Sequence, residues 1–300
     1  MKKSVFFLFV SIVILFISIS WIALRAPEPP LHSVGQLDPV LVKQGRQLVT
    51  QGYITNEDGR KGEVQSKYFV CIDCHTTSKE FDDLSKDNAV DRLVYGKANK
   101  LPYLPGSSFY GIVNRVSWYN DDYLLKYGKL VESSRDTLVN AIQLCATVCS
   151  QGRALDEKEM QAVLHYFWSI AYTREDIETA KFKQVLAYRA HFSKTLPISD
   201  RKFGEGGSIE NGEYIYDYSC LQCHDRKFGA AKFKLDHSKL TFRMLKRHFN
   251  DFDDKSIYQI IRHGTTPEVS NKAYMPLFTK EKMTDAQIED LAAYILAKSK

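Results

Sequence analysis

Two short segments carry the most conspicuous chemistry of this chain, Cys71-Ile72-Asp73-Cys74-His75 and Cys220-Leu221-Gln222-Cys223-His224. Three-residue spacing on a helical turn sets both thiols of each pair on one side, and the histidine that follows offers an imidazole to a metal. Such a motif is read as covalent haem attachment, with the sulfurs bonded to the vinyl groups of one porphyrin and the histidine on its iron. Zinc sites and redox dithiols use the same Cys-x-x-Cys spacing. Two copies in repeated surroundings, on a chain that begins with an export signal, favour haem. The expectation is two covalently bound haem c groups, on Cys71 and Cys74 and on Cys220 and Cys223, with His75 and His224 on the irons.

The elements that must position these motifs recur as well. Upstream of each lies a short helical pattern with a glycine, Gly45-Arg46-Gln47-Leu48 and Gly212-Glu213-Tyr214-Ile215. Downstream, Leu138 to Ile142 pairs with Ile257 to Ile261, both apolar at helical spacing. Each half closes with an amphipathic helix, Asp156-Glu157-Lys158-Glu159-Met160 matching Thr284-Asp285-Ala286-Gln287-Ile288 and Tyr166 falling on Tyr294. Both begin with a capping residue followed three positions later by Glu or Gln, the signature of a reciprocal capping box. Strand signals are sparse, so the fold class expected is all-α. Residues 31–172 form a first domain, 173–207 a linker ending in Gly204-Glu205-Gly206-Gly207, and 208–300 a second domain.

Residues 1–30 read as a membrane-targeting element: Lys2-Lys3, an apolar run from Ser4 to Leu24, then Arg25 and Pro27 to Pro30. A cleaved signal has an apolar core of about 7–15 residues, whereas a span needs about 20. The run fits the second length, and the expectation is a single transmembrane helix that leaves the rest of the chain on the periplasmic side of the inner membrane. The net charge of +5 is spread among acids rather than gathered in blocks. That excludes nucleic acid as the natural partner and leaves a redox protein as an acceptable one.

Both halves resemble class I cytochrome c domains, over residues 38–172 and 208–298: a glycine-bearing first helix, Cys-x-x-Cys-His after it, and an aromatic-bearing last helix. The resemblance implies a second iron ligand from a later loop. For the second haem it falls on Met275, in Ala273-Tyr274-Met275-Pro276-Leu277, with core packing or Met283 as the other readings. In the first half the equivalent loop, Leu144 to Arg153, has neither methionine nor histidine, and Met160 and His165 sit on the closing helix. The segment from Ile142 to Leu155 is similar to that of dihaem thiosulfate dehydrogenases and related sulfur-oxidising cytochromes. There an axial cysteine precedes a glycine-basic-x-leucine turn, which implies Cys145 as the ligand. Cys149-Ser150 departs from that family's serine-methionine pair, and a Cys145–Cys149 disulfide or ligation by Cys149 are the other readings. The segment from Leu101 to Tyr123 reads as an aromatic wall with Arg115 as a cation for the propionates, or simply as the cover of the first domain. The expected function is electron transfer between redox partners by a membrane-anchored dihaem c-type protein, and the alternative is oxidation of a sulfur compound at a cysteine-ligated first haem.

Overall fold

In the computed structural model, described residues are 36–82, 84, 88–115, 117–119, 121–179, 195, 197–225, 231, 233–249, 256–267 and 274–300. Their regular structure is helical, and the only β pairings among them are isolated bridges, Thr55 with Lys61 and Asp225 with Leu235. The expected transmembrane run from Ser4 to Leu24 lies outside the described residues, and no described helix is long and apolar enough to cross a membrane.

The first half is framed by α1 (Pro39–Gln51), α2 (Ala89–Asn99), α3 (Leu138–Leu144) and α4 (Glu157–Ser169). The second is framed by α5 (Ile209–Ile215), α6 (Lys239–Arg247), α7 (Ile257–His263) and α8 (Asp285–Lys298). The capping boxes expected at the closing helices are present, Asp156 with Glu159 and Thr284 with Gln287. Each satisfies two amides that the first turn leaves without helical partners.

The frame of each half is a crossing of its first and last helix, α1 on α4 and α5 on α8, and both crossings depend on a glycine. A β-carbon on Gly45 would overlap the Ala162 carbonyl and crowd Tyr166, and one on Gly212 would overlap the Asp290 carbonyl and crowd Tyr294. The contacts correspond residue for residue, in keeping with the alignment of Tyr166 on Tyr294 in the repeat. Two apolar cores result, one holding Leu48, Met160, Val163 and Phe167, the other Ile215, Phe242, Ile288 and Tyr294. Met160 is 6% exposed, and His165 accepts the Asp38 amide at 3.1 Å on Nδ1. Both therefore serve packing and capping.

The halves share contacts that the sequence did not announce. Tyr103, expected to cover the first domain, is 1% exposed within the core of the second half, and its amide bonds to the Tyr218 carbonyl at 2.7 Å. Its hydroxyl and the Ala89 carbonyl both reach Gln287, at 3.1 and 2.8 Å. Residues 202–204, at the glycine-rich end of the expected linker, are tied to α8, with Glu289 accepting the amides of Lys202 and Gly204 at 2.9 and 2.8 Å.

Candidate haem sites

Cys71, Cys74 and His75 line one large cavity, which encloses about 1440 Å3 counting the space open at its mouth. His75 directs Nδ1 at the Ser107 carbonyl, 2.7 Å away. A donor bond from Nδ1 leaves the other ring nitrogen for a metal and fixes the plane of the ring. Burial, reinforced by the nearby Arg115 and Lys282 charges, brings the imidazole down to about 4, so it is in the neutral, ligating form at neutral pH. His224 repeats the arrangement with Nδ1 at 2.6 Å from the Phe233 carbonyl, and burial lowers its pKa too. Burial raises the thiols, Cys71 to about 11 and Cys220 and Cys223 to about 12. Sequence reasoning found the histidines but not Ser107 or Phe233, because a backbone acceptor has no residue-type signature.

Cys145 and Cys149 line the same cavity as His75, and no disulfide joins them. They lie on a wide turn in which the Ser150 amide bonds to the Cys145 carbonyl at 2.7 Å. The following turn is pinned from below, with Gln65 Nε2 donating to the carbonyls of Ala146 and Arg153 at 2.9 Å each. Arg153 in turn holds Glu159 through two bonds of 2.6 Å. Within the pair the sulfurs differ. The bond from Cys145, together with those from the Tyr274 and Tyr119 hydroxyls, overcomes burial and brings Cys149 down to about 7. Cys145, as the donor and by burial, is raised.

Met275 packs against the same core as Cys220 and Leu221. Its loop is strapped to the end of α7: the Thr265 amide donates to the Met275 carbonyl at 2.8 Å, and the Met275 amide donates to the Thr265 hydroxyl at 2.9 Å. Gly264, at φ 56°, permits this approach, since a β-carbon there would overlap the Met275 carbonyl. Arg262, 1% exposed, holds the return of the loop through the carbonyls of Phe278 and Met283 at 2.8 and 2.9 Å. Met283 itself is 1% exposed in the core.

The second half also reaches the first cavity. Tyr274, Pro276, Thr279 and Lys282 are on its wall, beside Arg115, Trp118 and Tyr119 from the expected aromatic segment. Behind His75 lies a buried ion cluster in which Glu80 meets Arg92 at 2.7 Å and Lys282 at 3.3 Å and accepts the Ser108 amide at 3.0 Å. The cavity fits a haem: attachment thiols and a neutral imidazole share it, and the Thr279 hydroxyl, 3% exposed, makes no hydrogen bond among the described residues. That leaves a buried donor for a polar substituent of the bound group.

Helices crossed at a glycine, an attachment motif and a methionine-proline strap are the arrangement of a haem c-binding domain. Residues 207–295 match the family described as Cytochrome C oxidase, cbb3-type, subunit III. Cytochrome c6 of Parathermosynechococcus lividus is 31% identical over 88 residues, 29% of this chain and 87% of that protein. A nicotinate dehydrogenase subunit of Pseudomonas putida is 33% identical over 89 residues, 29% of this chain. The chain spans 7% of the length of that dehydrogenase subunit. The chain belongs to the cytochrome c family, with a haem c domain at residues 207–295 and a haem electron-carrier role.

Proposed function

We propose that the chain carries two haems and passes electrons between redox partner proteins on the periplasmic side of the inner membrane, held there by the run from Ser4 to Leu24. The observation that carries the two-haem reading is the repeated bond of the histidine after each Cys-x-x-Cys to a backbone carbonyl, Ser107 for His75 and Phe233 for His224. Cys71, Cys74 and His75 would hold the first haem, and Cys220, Cys223, His224 and Met275 the second. Cys145 is assigned as the second ligand of the first iron, on its place in the His75 cavity and the sulfur-cytochrome resemblance. Haem supplies one-electron chemistry when bound; the protein fixes the imidazoles, excludes water and sets the ligands. Denatured protein should retain two haems per chain on the two cysteine pairs, measured by haem assay and peptide mass. Release by acid-acetone would reject the proposal. Membrane fractionation and an amino terminus at Met1 test the anchor; an amino terminus near Trp21 or Pro27 would show cleavage.

A second reading is sulfur-compound oxidation, favoured by the Cys145–Cys149 pair and the Tyr119 and Tyr274 hydroxyls around it. Thiosulfate oxidation with an artificial acceptor, lost in Cys145→Ala and kept in Cys149→Ala, would establish it. Spectra of the same variants assign the ligand, because the low-spin ferric signal of the first haem should vanish only with the ligating sulfur.

A further inference from the structure

We infer that the first haem site is completed by the second half of the chain, with Lys282 and Thr279 receiving the carboxylate substituents of the haem attached at Cys71 and Cys74. This rests on reading that motif as haem-bearing. A haem has apolar faces, which the aromatic and aliphatic walls satisfy, and two propionates. A carboxylate drawn out of water needs charged or hydrogen-bonding partners.

Some polar groups on the wall are engaged with the chain's own backbone: Gln65 Nε2 with the carbonyls of Ala146 and Arg153, and the Ser150 hydroxyl with the Ala146 carbonyl at 2.7 Å. The Thr279 hydroxyl is buried without a hydrogen-bond partner among the described residues. Lys282 lies on the same turn, its amide bonded to the Thr279 carbonyl at 3.0 Å, and its side chain is on the same cavity wall. The ammonium is held by Glu80, and Glu80 by Arg92, both from the first half. Arg92 also donates to the Lys282 carbonyl at 3.0 Å. The Lys282 side chain is thus held in place by the protein's own groups, which is how a rigid binding site is built.

The test uses full-length haem-loaded protein and the variants Lys282→Met, Lys282→Arg and Thr279→Val. Peptide mass first establishes haem on Cys71 and Cys74; its absence in the parent protein would remove the underlying reading and the inference with it. Spectroelectrochemical titration across pH then follows each haem. Lys282→Met should lower the midpoint potential of the first haem, because loss of a nearby cation favours the ferric state, and Lys282→Arg should restore it. Thr279→Val, a near-isosteric change, should introduce a pH dependence of that potential, since a carboxylate deprived of its donor titrates higher. The second haem should be unchanged throughout. First-haem potentials and pH profiles that match the parent in both Lys282→Met and Thr279→Val, with haem in place, would overturn the inference; if Lys282→Met does not fold, Thr279→Val decides alone.

Discussion

Glu80 is a buried carboxylate between two cations, and the three groups do not respond alike. Burial pushes its carboxyl up, but Arg92, Lys282 and the Ser108 amide bring it down to about 2. For Lys282, burial outweighs the attraction of Glu80, and the nearby Arg92 and Arg115 act with burial, bringing it to about 7. Glu80 is therefore the firmly charged member, and removing its charge strands two cations. Glu80→Gln should cost about 3–5 kcal/mol in urea unfolding at neutral pH, more than Lys282→Met. The folded pKa of Glu80 is below its ordinary 4.5. Its stabilisation is complete above that value and lost as pH falls toward 2, so the acid limb of the stability curve should be shallower in Glu80→Gln. At the second site, Met275→Ala should abolish the sulfur-to-iron charge-transfer band and lower that haem's potential; an unchanged spectrum would reassign the ligand. At this scale the sequence makes the candidate attachment residues legible, because sulfur and imidazole chemistry is written in residue type. It did not disclose Ser107, Phe233 or Thr279, whose contributions depend on where the chain places a carbonyl or an ordinary hydroxyl.

Helix ends and crossings were the most legible elements. The capping boxes at α4 and α8 follow from local spacing, and Thr284→Ala should cost about 1 kcal/mol by thermal or chemical unfolding. The glycines of the first and last helix pairs were visible as a repeated pattern, though not their purpose. Gly45→Ala and Gly212→Ala each place a methyl against a carbonyl of the crossing helix, and each should destabilise by about 1–3 kcal/mol, the usual cost of overpacking. Equal stability in either variant would show that the crossing can open without loss. The segment that holds α2 and Tyr103 was less legible. Its apolar residues indicate burial but not which core receives them, since side-chain type does not record a partner far away in the chain.

For the whole molecule, the consequence of that segment is coupling. Tyr103 from the first half lies in the core of the second, Arg92 stacks over its ring at 4.4 Å, and the Tyr214 hydroxyl bonds to the Leu101 carbonyl. Unfolding followed separately in the two halves, at the haem proposed for each, should therefore give coincident transitions in the parent protein. Tyr103→Ala should cost about 3–5 kcal/mol, as large-to-small aromatic changes in cores do, and should separate the two transitions. The repeat was legible as a duplication of motifs and helices, whereas the docking of one half on the other was not, because it is made by residues outside the repeat.

The attachment motifs themselves meet at this docking surface, with Cys223 Sγ 3.8 Å from the Asp73 carbonyl. Thioether formation needs a vinyl carbon to approach each thiol from outside, and a sulfur lodged against the opposite motif is shielded on that side. If both motifs carry haem as proposed, ligation at Cys223 should precede closure of the two halves on each other. On that reading, a chain that closed first would go without a thioether at Cys223.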